Sequence, residues 1–129
     1  MDPADRSTLV DITSLDSLDV WGTDVQARVL VGANASLAVV ELAPGALVPS
    51  HHHVHEQLGI CLQGSGTFTI DGETRDIGPG TTWRILGGLP HDLVVGPEGA
   101  VVIDVFTPVR DDWDDRPTVD GAAPRWPDA

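Results

Sequence analysis

Four of the chain's five histidines, His51, His52, His53 and His55, fall within five positions, and the fifth, His91, follows 34 residues after Gln57. Neutral imidazole is the commonest metal ligand in proteins, so a cluster of this density describes a metal centre rather than a solvated surface. Along an extended strand, residues of one parity project to one face. That rule groups His51, His53 and Gln57 and turns His52 and Glu56 away. His55 shares the ligand parity and is the substitute if Gln57 does not bind. His91 opens a further strand after the Gly87-Gly-Leu-Pro90 turn, where it can complete the set. The expected cofactor is one divalent transition metal, and nitrogen and oxygen ligands accept Zn, Ni, Mn, Fe or Co.

The next residue with chemical content is Asp104, in the apolar run Val101-Val-Ile-Asp-Val-Phe106. A carboxylate in such a strand is costly unless it is paired or hydrogen-bonded, so Asp104 requires a specific partner, and burial would raise its pKa. Two uses compete: a structural pair, or a proton-transfer group beside the metal. Phe106 shares its face. Arg110 follows Thr107-Pro-Val109 and can bend back over the site as a carboxylate clamp. Arg28 and Trp83 complete the candidate substrate-binding residues, with Arg84 a further source of positive charge.

The rest of the inventory is restrictive. All seven basic residues are arginine, and there is no lysine or tyrosine, which removes Schiff-base chemistry and phenolic acid–base catalysis. Cys61, inside Leu58-Gly-Ile-Cys-Leu62, reads as a buried small hydrophobe with no internal disulfide partner.

These residues must be carried by strands. No helical apolar period is sustained, whereas short apolar runs recur between turn signals, the pattern of an all-β sandwich or barrel. The expected strands are Val25–Val31, Leu37–Leu42, His51–Leu62, Gly66–Ile70, Thr74–Ile77, Thr82–Leu86, His91–Val95 and Ala100–Phe106. Asp71-Gly72 is the clearest hairpin turn. Residues 1–24 read as an arm or edge strand, 25–107 as the barrel domain, and 108–129 as an acidic, Pro- and Trp-containing tail. Trp113 and Trp126 are expected to pack on the outside of the barrel or against a second subunit.

With 129 residues and 41% hydrophobic content, the chain suits one domain with a real core. It has no apolar stretch of bilayer-spanning length, and its N-terminus lacks the pattern of a signal peptide, so a cytoplasmic location and no membrane partner are expected. The net charge of −13 argues against nucleic acid. An anionic substrate would then need local positive charge from the metal and nearby arginines.

The segments Gly45-(five)-His51-x-His53-(three)-Gln57-(six)-Gly64 and Gly80-(five)-Leu86-x-Gly88-(two)-His91 resemble the two motifs of the cupin superfamily, separated by fifteen residues. Gln57 stands where the superfamily usually has Glu, Leu86 where it has Pro, and Val95 where it has Asn. The resemblance implies a single-domain cupin-type β-barrel jelly roll, with His51, His53, Gln57 and His91 as metal ligands, and makes a homodimer the expected assembly. His51-x-His53-x-His55-Glu56-Gln57 together with Asp104-Val-Phe106-Thr-Pro108-Val-Arg110 is similar to the KdgF family, small cupins that ketonise 4,5-unsaturated uronates. By that resemblance Asp104 is a catalytic acid/base, Phe106 a pocket residue, and Arg110 a substrate-carboxylate or catalytic partner.

The expected function is therefore metal-dependent, non-redox isomerisation or tautomerisation of a small oxygen-rich acid. Three imidazoles and a neutral amide leave the metal charge uncompensated, which favours Lewis-acid chemistry over stabilising higher oxidation states. An iron-dependent dioxygenase and a non-catalytic small-molecule-binding cupin are the two alternatives.

Overall fold

The computed structural model describes residues 8–127, so the first seven residues of the expected arm and the last two of the tail lie outside the described residues. The strands are β1 (Leu18–Asp19), β2 (Val25–Val31), β3 (Ser36–Leu42), β4 (Leu47–His51), β5 (Glu56–Ile70), β6 (Glu73–Ile77), β7 (Thr82–Ile85) and β8 (His91–Thr107). All of their pairings are antiparallel. Only two short 3-10 turns, Ile12–Ser14 and Asp111–Trp113, interrupt this all-β pattern among the described residues. No helix there is long and apolar enough to cross a membrane.

Two long strands organise the jelly roll. The 100–107 stretch of β8 lies between β3 and the first part of β5, and its 91–95 stretch lies between β4 and the second part of β5. β7 extends the first layer and β6 the second. The sequence predicts breaks at Gly64-Ser-Gly66 and Gly96-Pro97, yet the chain runs through both, giving strands of 15 and 17 residues. The β5–β8 register shifts between Cys61 and Gln63 and between Gly64 and Gly66. Gly64 has φ +83°, and a Cβ there would lie 1.9 Å from the Gly99 carbonyl oxygen. These glycines mark bulges that bend a continuous strand from one layer into the other.

Alternation along the strands sends one set of side chains inward. Val25 and Ala27, Ala38, Val40 and Leu42, Cys61 and Phe68, Trp83 and Ile85, and Leu93, Val95, Val102 and Phe106 form one buried cluster. Hairpin β5–β6 closes at Asp71-Gly72, as expected, with Asp71 at φ 48° and Gly72 at φ 83°.

The segment after β8 differs from the expected tail. Trp113 is 6% exposed and belongs to the core cluster. Residues 117–119 return beside 17–19, with Asp19 N–H donating to Pro117 O at 2.8 Å and Val119 N–H to Ser17 O at 2.7 Å. The physical reason is that the barrel leaves apolar surface at one end, and a large indole on a short turn covers it. Trp126 remains on the outer face of the barrel, beside Leu30, Leu37, Val39 and Ile103.

Candidate metal centre

His51 is the last residue of β4 and faces His91, the first residue of β8, across the ladder, with ring centroids 4.3 Å apart. His53 comes from the bend between β4 and β5, which is held where Gly88 N–H donates to His53 O at 2.8 Å. Burial alternates from His51 to Gln57 as strand parity predicts, but the single expected strand His51–Leu62 is broken at 52–55. The candidate ligands come from a strand end, a bend and a strand start, with His91 supplied from β8. One ring nitrogen from each of His51, His53 and His91 lies within 4.8 Å of the others.

The protonation pattern of these rings suits a cation. The Nδ1 atoms of His51, His53 and His91 lie 2.8, 3.0 and 2.9 Å from the carbonyl oxygens of Pro49, His55 and Leu89. A carbonyl only accepts, so each Nδ1–H donates and each Nε2 carries its lone pair. His91 Nε2 is buried and has no hydrogen-bond partner among the described residues. Burial, assisted by the Arg110 guanidinium, lowers all three pKa values, that of His53 to about 4. The rings are neutral at physiological pH, the state in which imidazole binds metal.

Gln57 joins this group from the start of β5. Its Oε1 lies 3.2 Å from His53 Nε2, and its amide also hydrogen-bonds Asp104. Since the Asp104 carboxylate accepts, the Gln57 N–H donates to it and Oε1 is turned toward His53. With the His53 proton on Nδ1, two lone-pair atoms face each other, a contact that a shared cation would relieve. The residues present therefore fit a divalent metal held by His51, His53, His91 and Gln57.

Asp104 sits behind Gln57, 6% exposed. Burial pushes its pKa up to about 6, against the opposing pull of hydrogen bonds from Trp83 and Gln57 and the charge of Arg110. Trp83 Nε1–H donates to Asp104 Oδ1 at 2.8 Å. The bond passes over Gly59, the cross-strand neighbour of both residues. The partner that the sequence required for Asp104 is thus an indole and an amide, and neither is a full counter-charge.

One cavity gathers His51, His53, Gln57, His91, Trp83, Asp104, Phe106 and Arg110. Arg110 lies 4.6 Å above the Phe106 ring centroid and 4.2 Å from that of Trp113. Arg28 does not join them. It projects from the opposite face of β2, is 7% exposed, and is engaged by Glu41 at 3.5 Å and the Ala122 carbonyl at 3.0 Å. Strand parity explains this, because Ala27 takes the inward position. Arg84 is exposed and also lies off the cavity. Local positive charge comes instead from Arg110 and Arg116.

His52 is exposed, as parity predicts, while His55 is buried with its ring Nε2 3.2 Å from Val109 O. It is therefore no substitute for Gln57. The sequence reading also missed Trp21 and Trp113, which line the cavity, with the Trp21 and His51 centroids 5.1 Å apart. Neither position carries a periodic signal. Gly59, by contrast, is an isolated glycine in an apolar strand, a recognisable sign of close approach.

Comparison with known proteins places this geometry. A cupin domain matches residues 38–106. The chain is 30% identical over 94 residues to the pectin degradation protein KdgF of Dickeya dadantii, covering 71% of this chain and 86% of that protein. It is 33% identical over 79 residues to the dimethylsulfoniopropionate lyase DddW of Ruegeria pomeroyi, covering 61% of this chain and about half (52%) of the lyase. Among solved structures, KdgF from Halomonas sp. superimposes with a TM-score of 0.69 at 29% identity, covering 75% of this chain and 89% of that one. With its domain match, its jelly roll and its paired motifs, this chain belongs to the cupin family, and within it resembles KdgF.

Proposed function

We propose that this chain is a metal-dependent cupin enzyme that isomerises a small unsaturated sugar acid, opening the ring or ketonising a 4,5-unsaturated uronate. The observation that carries the reading is the position of Gln57, with its oxygen toward the histidine triad and its N–H on Asp104. A proton-moving carboxyl is thereby held one side chain from the candidate metal centre. A bound divalent metal would supply Lewis-acid polarisation of a substrate oxygen.

The remaining chemistry falls to the protein. Arg110 binds the substrate carboxylate at the cavity mouth, and Phe106 and Trp113 exclude water behind it. Asp104, with a pKa of about 6, holds or accepts a proton near neutrality. In its ionised form it takes the hemiacetal hydroxyl proton as the ring C–O bond breaks to leave a carbonyl and an enolate, and it returns that proton to the enolate carbon, which becomes the ketone. Bonds and protons balance without an oxidant, consistent with an isomerase. The buried Asp104 disfavours a purely binding role, and the neutral Gln57 disfavours the dioxygenase alternative.

The similarity to DddW supports a second reading, a lyase acting on dimethylsulfoniopropionate, which would use the same Asp104 and Arg110. The two are separated by assaying the metal-loaded protein against a 4,5-unsaturated uronate, followed by loss of its conjugated ultraviolet absorbance, and against dimethylsulfoniopropionate. Turnover of the uronate alone supports the first reading. Turnover of the sulfonium alone replaces it, and inactivity toward both with a stoichiometric metal removes both substrates.

The proposed setting is a cytoplasmic homodimer. Leu30, Leu37, Val105 and Leu58 align across β2, β3, β8 and β5 on the outer face, and the three leucines are 39, 38 and 47% exposed. A continuous apolar row of this kind suits a second copy of the chain.

A further inference from the structure

Arg110, like Trp113 and Arg116, reaches the cavity from outside the barrel strands: it follows the end of β8 and sits just before the 3-10 turn Asp111–Trp113. A guanidinium on such a segment carries several rotatable bonds, and an unrestrained arginine loses conformational entropy on binding an anion. Its side chain is nevertheless only 9% exposed.

The Phe106 and Trp113 rings cover the guanidinium, and two direct contacts and one indirect contact hold the segment in place. The Arg110 backbone N–H donates to Ser36 Oγ at 2.9 Å, and Ser36 is fully buried in β3. Nε–H and Nη2–H of Arg110 donate to Oδ1 and Oδ2 of Asp112, both at 2.9 Å. Burial pushes the Asp112 carboxyl up, but the hydrogen bonds and charge of Arg110 outweigh it and hold the group below the ordinary carboxylate range. The third contact is His55, buried beneath the pair. Its Nε2 lies 3.2 Å from the Val109 carbonyl and 3.8 Å from Asp112 Oδ1. The carbonyl requires a proton on Nε2, and Nδ1 is buried with no partner among the described residues. The backbone oxygen of the same residue accepts from His53 Nδ1 at 3.0 Å. His55 thus ties the metal-site bend to the segment bearing Arg110.

We infer that Asp112 and His55 are positioning residues that lock Arg110 in one rotamer, so that its remaining Nη1/Nη2 fork faces the cavity as a ready-made slot for a planar carboxylate. Asp112 occupies one edge of the guanidinium, Phe106 and Trp113 form a corner against it, and no described residue bonds Nη1. A second bidentate partner is accommodated on the open edge. His55, Asp111 and Asp112 also place ligand atoms within 4.8 Å of one another, a spacing that suits a cation. Both Asp112 oxygens, however, already accept from Arg110, so the cluster is a clamp. The inference deepens the reading of Arg110 as the carboxylate-binding group and rests on it for its kinetic consequence only.

The test has a spectroscopic arm independent of turnover. In the Zn-loaded protein, Arg110 Nε–H should give a resolved, slowly exchanging resonance, assigned by its disappearance in Arg110→Lys. Asp112→Asn should merge it with the solvent-exposed arginines, and Asp112→Glu should largely restore it. His55→Gln should broaden it, and because Asp112 is half exposed, Asp112→Asn serves even if the His55 variant does not fold. With a 4,5-unsaturated uronate, Asp112→Asn should raise KM about tenfold with kcat within about twofold, as expected when an anion slot loses preorganisation. A resonance unchanged in Asp112→Asn overturns the inference whatever KM does. A lost resonance with unchanged KM supports the positioning role and overturns instead the assignment of Arg110 to the substrate carboxylate.

Discussion

The indole of Trp83 and the carboxylate of Asp104 lie on strands that do not pair with each other, β7 and β8, yet they are joined by a 2.8 Å hydrogen bond across the intervening strand β5. The bond exists because Gly59 lies between them. It fixes the orientation of a buried carboxyl whose other hydrogen-bonding side chain, Gln57, faces the histidine triad.

Gly59→Ala tests that arrangement. The added Cβ would fall 2.0 Å from Trp83 Nε1 and 2.3 Å from Asp104 Oδ1, so the indole or the carboxyl must move. The expected cost is ~1–3 kcal/mol of stability from overpacking, together with a large loss of activity. Thermal unfolding and metal analysis check it, and the metal should remain because the triad does not touch Gly59.

Gln57→Glu exchanges the bridging amide for a second carboxylate. The N–H donated to Asp104 disappears and two acidic groups face each other, so one of them takes up a proton. Metal retention during dialysis against a chelator should increase, because an anionic ligand replaces a neutral one, while turnover falls about 10- to 100-fold as the group oriented by Gln57 is lost. A variant with unchanged turnover contradicts the bridging role.

Trp113→Ala should destabilise the fold by about 3–5 kcal/mol, the usual range for deleting a buried tryptophan. The indole is 6% exposed and packs against Phe106 at a centroid distance of 5.2 Å. Denaturant unfolding measures the loss. A cost below about 0.5 kcal/mol, typical of surface positions, would show that the segment after β8 is peripheral.

Metal removal should lower stability without unfolding the barrel, since the core cluster does not depend on the triad. A metal held at 100 times its Kd contributes about 2.7 kcal/mol. Wild-type protein should therefore melt several degrees lower after chelation, and His91→Ala should melt at one temperature with or without metal.

Much of the site was legible in the sequence, for identifiable reasons. His51, His53, Gln57 and His91 stand out because imidazoles rarely cluster without cause, and Asp104 because a carboxylate in an apolar strand demands a partner. Parity gave the right facing from His51 to Gln57 even though the strand is broken at 52–55, because the bend preserves the alternation. What failed was long-range. Gly64 and Gly96-Pro97 read locally as turns, whereas tertiary pairing carries both strands through them as bulges. Arg28 alternates with Val25, Ala27 and Val29, a pattern that turns it to the outer face of β2, where its partners Glu41 and Ala122 come from distant segments, and Trp113 follows an acidic, proline-containing run that locally resembles a tail. In each case the deciding contact lies far along the chain.

The central claim, that Asp104 moves the proton beside a metal held by His51, His53, Gln57 and His91, is tested most directly by Asp104→Asn. The measurement is kcat on a 4,5-unsaturated uronate alongside the bound metal per chain. The account predicts a folded variant with one metal and a kcat lower by at least about 100-fold, the lower end of what general acid–base catalysis contributes. A fully metallated Asp104→Asn that turns over at the parent rate would contradict it.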